Sequence, residues 1–370
     1  MYTDIPLWLS LVMIVGGLAA LAWSSDAFVD GASRVARAFG ISPFIIGMVV
    51  IGFGTSAPEL FVSAVSGLTG HANLSLGNAY GSCIFNIAVI LGVSALVHPL
   101  IVRPSVAFFA GPVLALIAVF SLWVLRDGSC NRMEAAMLLV AFSVVMPAYC
   151  WYDQHMKNLR RIARAERGDD RAPSAPAPAA KDGGRRLVGA FLKLFFGLAL
   201  LIVSSHCLVW GAVDLARLLG VSDLVIGLTV IAAGTSLPEL ASAVASARRR
   251  QHEFVIGNII GSNIFNTLAV VGLACVISPV ESFSPYVLSR DLPLVAGLSL
   301  TILVFGFNGR KWSRPGVVNR FEAAIWISVF LGYTALMFSQ ELSRGDARPA
   351  RDGRPAAAEV GGGRDAGNGA

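Results

Sequence analysis

Charge is what this sequence has least of. Only 14% of its 370 residues are Asp, Glu, Lys or Arg, while 55% are hydrophobic and the mean hydropathy is +0.68. So few charges cannot cover a soluble globule, and the chain reads as a polytopic membrane protein. Cysteine is scarce too. Cys83, Cys130, Cys150, Cys207 and Cys275 are odd in number and lack C-x-x-C spacing, which argues against a disulfide framework or a zinc site. Most of them read as small apolar packing residues. The leading "MYTDIP" has no Lys or Arg and carries an Asp, so the first apolar run reads as an uncleaved helix rather than a signal peptide. No H-E-x-x-H occurs, and no Ser–His or paired-Asp arrangement recurs along the chain, which leaves an intramembrane enzyme without a nucleophile or metal dyad.

What is abundant is apolar sequence of membrane-spanning length. Runs at 6–23, 42–66, 73–97, 105–125, 133–151, 187–208, 222–246, 254–278, 288–307 and 321–339 predict an all-α protein of ten transmembrane helices. They divide into two groups of five, 5–152 and 187–340. Between them lies the polar segment 153–186, read as a disordered or partly helical linker. The tail 341–370 is equally poor in apolar residues and is expected to be disordered. With the linker in the cytoplasm, inside loops hold nineteen Lys or Arg, against Arg126, Arg132, Arg217 and Arg290 plus the tail's basic residues opposite. Both termini are then extracytoplasmic, in a bacterial inner membrane. The net charge of +6 reflects this bias and a basic linker near lipid headgroups, and calls for no nucleic acid.

The two groups are copies. Residues 21–92 laid on 201–272 at a constant shift of 180, without a gap, match at 29 of 72 positions. Five spans per copy means that the second is inserted upside down, the inverted-repeat plan of transporters that bind substrate near the midplane. Within the copies, "GTSAPEL" (54–60) and "GTSLPEL" (234–240) put a proline and a carboxylate inside membrane-length runs. Pro58 and Pro238 lack an amide hydrogen and clash with the carbonyl four residues back, so each helix must kink or unwind, leaving carbonyls without partners. Lipid tolerates that only where something else satisfies them, and a bound cation does so. Glu59 and Glu239 follow each break.

The next helix of each copy carries a polar stripe: Asn78, Ser82 and Asn86 in "GNAYGSCIFN", Asn258, Ser262 and Asn266 in "GNIIGSNIFN". Gly77/Gly81 and Gly257/Gly261 form small-residue ridges, read as packing devices. Asn78 and Asn258 read as braces for the broken helices. Two glutamates with threonine, serine, asparagine and carbonyl oxygens make a hard-oxygen pocket of formal charge −2. Ca²⁺, which takes six to eight oxygens at about 2.3–2.6 Å, suits it better than Mg²⁺ or Zn²⁺. Na⁺ also accepts such oxygens, so one pocket could hold either ion in competition.

The paired GTSxPE and GNxxGSxxFN segments, 52–92 and 232–272, resemble the α-repeats of the cation/calcium exchanger superfamily, most closely its bacterial sodium/calcium exchangers. The resemblance spans residues 5–340. It implies a central Ca²⁺ site of Thr55, Glu59, Thr235 and Glu239. It also implies Na⁺ sites using Thr55, Ser82 and Glu239 on one side and Thr235, Ser262 and Glu59 on the other, with carbonyls near Gly52 and Ala232. Asn86 and Asn266 take the remaining central positions. Relatives that require potassium carry Asp where this chain has Asn266, so a potassium-independent exchanger is expected. Three Na⁺ per Ca²⁺, as in the family, would make transport electrogenic. No cofactor is implied beyond the transported ions, and a single chain suffices.

The rival reading is a Ca²⁺/H⁺ antiporter, whose two glutamates would trade protons for metal. A passive channel is disfavoured because channels build rings from several subunits. Ser63, Ser66, Ser242 and Ser246 read as serines bonded to their own helix backbone. His71, His98 and His252 sit at predicted helix ends. Asp26 and His206 hold equivalent positions but do not match, which argues against a shared ligand role. Cys83 against Asn263 is an asymmetry that the sequence does not explain.

Overall fold

The computed structural model describes residues 6–70, 72–165, 183–220, 232–307 and 315–346. The first helix, α1 (Leu7–Phe39), stops where Gly40 adopts φ +64 and returns its amide to the Arg37 carbonyl. It packs along α7 (Gly183–Leu218), and the close contacts come in matched pairs. Gly17 abuts Leu208 while Gly197 abuts Phe28; Gly31 abuts Leu194 while Gly211 abuts Ile14. Each member of a pair becomes the other under the shift of 180. A Cβ at Gly197 would lie 2.7 Å from the Phe28 nitrogen, so only glycine permits the approach.

The expected first span, 6–23, is too short, since α1 has 33 residues. Its added turns carry Asp26, Asp30 and Arg34, whose charges are met by neighbours rather than by lipid. Lys193 Nζ lies 2.7 Å from Asp30 and Arg34 Nε 3.0 Å, while Arg249 donates to Asp26 at 3.2 Å. Charge ends a hydropathy run without ending a helix.

After α1 comes a broken element, α2 (Pro43–Thr55) and α3 (Ala57–Leu68), whose axes differ by 44°. Ser42 caps the start, accepting from the Ile45 amide at 3.2 Å, with Pro43 in the first turn. Then α4 runs from Ala72 through Phe85 and on to Val97, followed by strand β1 (Leu100–Val102) and helix α5 (Ala110–Val124). Helix α6 (Arg132–Ala165) precedes α7. In the second half a single turn, Ala232–Gly234, precedes α8 (Leu237–Arg248), then α9 (His252–Ile277), α10 (Val287–Phe305), strand β2 (Gly316–Val318) and α11 (Arg320–Asp346). Residues 1–330 form one compact unit; of the separate unit that begins at Leu331, the described part continues α11.

Among the described residues, seven helices are long and apolar enough to cross a membrane, the α2–α3 pair forms one bent crossing, and α5 is a shorter apolar helix. The chain is therefore a helical, multi-pass membrane protein. The run at 222–246 is described only from Ala232, because 221–231 lie outside the described residues. The segment 153–186 is helical at both ends, in α6 to Ala165 and in α7 from Gly183, with 166–182 outside the description. Of the tail, α11 covers residues to Asp346 and 347–370 are not described.

Helix α9 is the most enclosed, and its glycines let α2 touch it backbone to backbone. Gly257 faces the Phe44 carbonyl, Gly261 the Met48 carbonyl, and Gly47 of α2 faces Phe254. The ridge expected at Gly257/Gly261 is a packing surface. Residues 221–231, the repeat counterpart of that α2 surface, are not described. The antiparallel β1–β2 pair joins loops of the two halves, with Leu100 opposite Val318 and Val102 opposite Gly316.

Gly261→Leu should therefore drive α2 away from α9. Overpacking of this kind costs about 1–3 kcal/mol, and the thermal midpoint of the detergent-purified protein should fall by several degrees. An unchanged midpoint would mean that the two backbones are not in contact.

Candidate functional site

Both motif prolines sit just inside a new helix. α3 begins at Ala57 and α8 at Leu237, with Pro58 and Pro238 in their first turns. Ser56 (φ −86, ψ 2) and Ser236 (φ −92, ψ 8) form the breaks. The glutamates follow in those same first turns, where the free amides of a helix start favour negative charge. The kink that Pro58 imposes thus falls at Ser56, between the proline and the Gly54 carbonyl it cannot bond.

Glu59 and Glu239 are both fully buried and close enough for Glu239 to act electrostatically on Glu59. Thr55, Ser56, Ser82, Asn86, Ser236, Ser262 and Asn266 are buried as well. Ser56 Oγ donates to Glu239 Oε1 at 3.0 Å, across the two halves, and Ser236 Oγ lies 3.4 Å from Ser82 Oγ. Ser262 Oγ reaches the Gly52 carbonyl at 3.5 Å. Several polar atoms find no partner: both carboxylate oxygens of Glu59, Glu239 Oε2, Thr235 Oγ1, Asn86 Oδ1 and both amide atoms of Asn266.

Buried polar atoms are normally paired, and an unpaired one costs about 1–3 kcal/mol. Seven on the two motif segments and polar stripes, mostly acceptors, are groups that an electropositive partner could satisfy. Among the described residues no cluster of three or more His, Cys, Asp or Glu occurs, so the oxygens on offer are two carboxylates supplemented by hydroxyls, amides and carbonyls. That donor set suits a hard cation.

Some partners of the broken helices are now visible. Pro238 cannot bond the Gly234 carbonyl, and the Ser205 hydroxyl does so instead at 3.2 Å. Asn258 is a brace, as its position suggested. Its Nδ2 donates to the Glu239 carbonyl (3.4 Å) and to Ser242 Oγ (3.1 Å), and its Oδ1 lies 3.3 Å from Thr55 Oγ1. Ser242 bonds its own helix, at the Glu239 carbonyl. Ser63 does not: it crosses to the Val270 carbonyl of α9 at 2.7 Å. His98 and His252 lie against each other with tilted rings at 5.2 Å, His206 is exposed, and Asp26 belongs to the Arg249 ion pair, so none of these joins the pocket. His71 is not described.

Sequence reasoning missed two things. Ser56 is one, although its place in the motif was signal enough. The other is a set of π-helical turns at Ile46–Ile51, Asn86–Leu91 and Phe265–Val270. Asn86 opens one and Asn266 lies in another, so the polar stripes meet the site where the helix widens.

A multi-pass helical protein with paired carboxylates at helix breaks, buried between two similar halves, has the build of a secondary transporter. Comparison with known proteins gives the family. The profile described as "Sodium/calcium exchanger protein" matches residues 9–149 and 189–339. The inner membrane protein YrbG of Escherichia coli K12 is 38% identical over 330 residues, 89% of this chain and 97% of that one. The sodium/calcium exchanger MaX1 of Methanosarcina acetivorans is 28% identical over 356 residues, covering 89% and 98%. Among solved structures, the sodium-calcium exchanger NCX_Mj soaked with Na⁺ and Sr²⁺ superposes with a TM-score of 0.72 at 28% identity, covering 88% of this chain and 98% of that one. The chain belongs to the sodium/calcium exchanger family.

Asn258→Ala removes two donated bonds that tie α9 to α8. At about 1 kcal/mol each, the loss should be about 2 kcal/mol, read as a lowered thermal midpoint. Asn258→Asp, which keeps the oxygen but not the donors, should lower it as well. A variant as stable as the wild type would remove Asn258 from the brace.

Proposed function

We propose that this exchanger-type antiporter moves Ca²⁺ against Na⁺ by alternating access, with Glu59 and Glu239 as the charged ligands of a shared cation pocket. One observation carries the reading: two fully buried glutamates from opposite halves, surrounded by unpartnered oxygens and no balancing basic side chain among the described residues that contact them. Thr55, Thr235, Ser82, Ser262, Asn86 and Asn266 would supply neutral oxygens, and Pro58 and Pro238 the helix breaks that expose carbonyls. A divalent ion matches the formal −2, and several Na⁺ sharing the same oxygens would replace it.

The printed functions of MaX1 and NCX_Mj support this choice of ions. Asn266, neutral where relatives that need potassium carry Asp, favours independence from potassium. Several monovalent ions against one divalent ion makes the cycle electrogenic when the count exceeds two. The exchange-related contacts of α1 with α7 favour two inverted five-helix halves, completing ten spans. The basic loops favour a cytoplasmic linker with both termini outside. Hydroxyl and amide oxygens, which coordinate Na⁺ but are not needed to carry H⁺, favour Na⁺ over the Ca²⁺/H⁺ alternative.

The test is ⁴⁵Ca²⁺ uptake into proteoliposomes loaded with Na⁺, with K⁺ or with acid. Wild type should accumulate Ca²⁺ only with Na⁺ inside, faster when the interior is made positive, which favours the net outward movement of positive charge, and regardless of K⁺. Glu59→Gln should reduce uptake at least a hundredfold, because it halves the pocket's charge. Uptake that follows the proton gradient alone would move the assignment to Ca²⁺/H⁺ exchange.

A further inference from the structure

Within the polar stripes the two halves differ between the shared Ser and Asn, with Cys83 in the first and Asn263 in the second. These exchange-related positions touch. Asn263 Nδ2 donates to the Cys83 carbonyl at 3.4 Å, and the Cys83 thiol lies 3.7 Å from the Asn263 carbonyl and 3.4 Å from Thr267 Oγ1. Both residues are buried.

Their chemistry then separates the neighbouring asparagines. Asn263 Oδ1 accepts from Asn86 Nδ2 at 3.0 Å, which leaves Asn86 Oδ1 as the unpaired atom. An amide whose nitrogen is anchored can offer only its oxygen. On the other side, Cys83 has no comparable acceptor to give Asn266, and its thiol is engaged by Thr267 and the Asn263 carbonyl. Both amide atoms of Asn266 are buried without partners. An unanchored amide can turn either its oxygen or its nitrogen toward a neighbour.

We propose that Asn263 is a positioning residue that fixes the Asn86 oxygen as a cation ligand, while Cys83 leaves Asn266 free to turn, so that the two asparagines serve the pocket unequally. This rests on the reading of Asn86 and Asn266 as pocket residues. The fixed oxygen holds whichever cation is bound; the free amide adjusts as a compact divalent ion gives way to monovalent ones. Asn263 itself touches no cation in this scheme.

The test uses the full chain, with Ca²⁺ titrated calorimetrically into the purified protein and Na⁺-driven Ca²⁺ uptake measured in proteoliposomes. Asn263→Cys should raise the Ca²⁺ dissociation constant and the half-saturating Ca²⁺ about fivefold to tenfold, the worth of one oriented hydrogen bond, with the maximal rate within about twofold. The exchanged pair, Cys83→Asn with Asn263→Cys, should recover most of that affinity by anchoring Asn266 in place of Asn86. Unchanged affinity in Asn263→Cys would overturn the proposal. So would a parallel fall in affinity, rate and thermal midpoint that the exchanged pair does not relieve, which is the pattern of a packing residue. If Ca²⁺ binding shifts as expected but no Na⁺-driven uptake exists in the wild type, the exchange reading fails and the positioning role stands.

Discussion

A carboxylate shut away from water needs a countercharge or a proton, and in this protein two lie buried near each other with no basic residue bonded to either among the described residues. Moving an isolated charge into a low-dielectric interior costs several kcal/mol even after relaxation. Among the described residues the protein answers that cost only partly, with the Ser56 hydroxyl on Glu239 and the helix-start amides of α3 and α8. On the proposed reading, the rest falls to the transported cation. The remaining architecture can be understood as what makes that arrangement stable when the pocket is occupied and tolerable in passing.

The helix breaks are the second cost. Each carbonyl freed by Pro58 or Pro238 would be expensive in hydrocarbon. One is taken up by protein, since the Ser205 hydroxyl serves Gly234; beside the other break, the Gly52 carbonyl receives the Ser56 amide and the Ser262 hydroxyl. The Ser262 bond needs α9 close against α2, closer than a side chain would allow, and Gly257 and Gly261 provide the room. The small residues of the stripe therefore belong to the energetics of the break as much as to packing. Remove the close approach and the Gly52 carbonyl loses the Ser262 hydroxyl.

Much of this was legible in the sequence because the two copies corroborate each other. A lone proline beside a glutamate could be a structural kink, but the same pair at a shift of 180, followed each time by Asn, Ser and Asn at intervals of four, confines the reading to a site. What could not be read depends on tertiary contact. The π-helical turns that carry Asn86 and Asn266 have no periodicity of their own. The β1–β2 pair joins segments more than 200 residues apart. Hydropathy ended the first span near residue 23, because it cannot know that Asp30 will meet Lys193 and Asp26 will meet Arg249. The meaning of Cys83 against Asn263 became visible only when the two positions proved to be neighbours.

The distribution of identity between the copies separates the site from its scaffold. Seven of the ten positions in 51–60 match their counterparts, as do five of ten in 81–90, but only one in 61–70 does. The variable stretch includes Phe61, Val62, Val65 and Leu68, all exposed on the surface of α3, where apolar residues of any shape satisfy lipid. The constant stretches hold the breaks, the glutamates and the polar stripes. One half supplies a single carboxylate and one broken helix, which is too little charge for a divalent ion; two halves supply the pair. Charge balance is thus a reason for the copies to stay alike at the pocket, while nothing holds them alike at the lipid. The few differences that persist within the pocket, Cys83 against Asn263 above all, are then the places where the two halves have taken unequal parts.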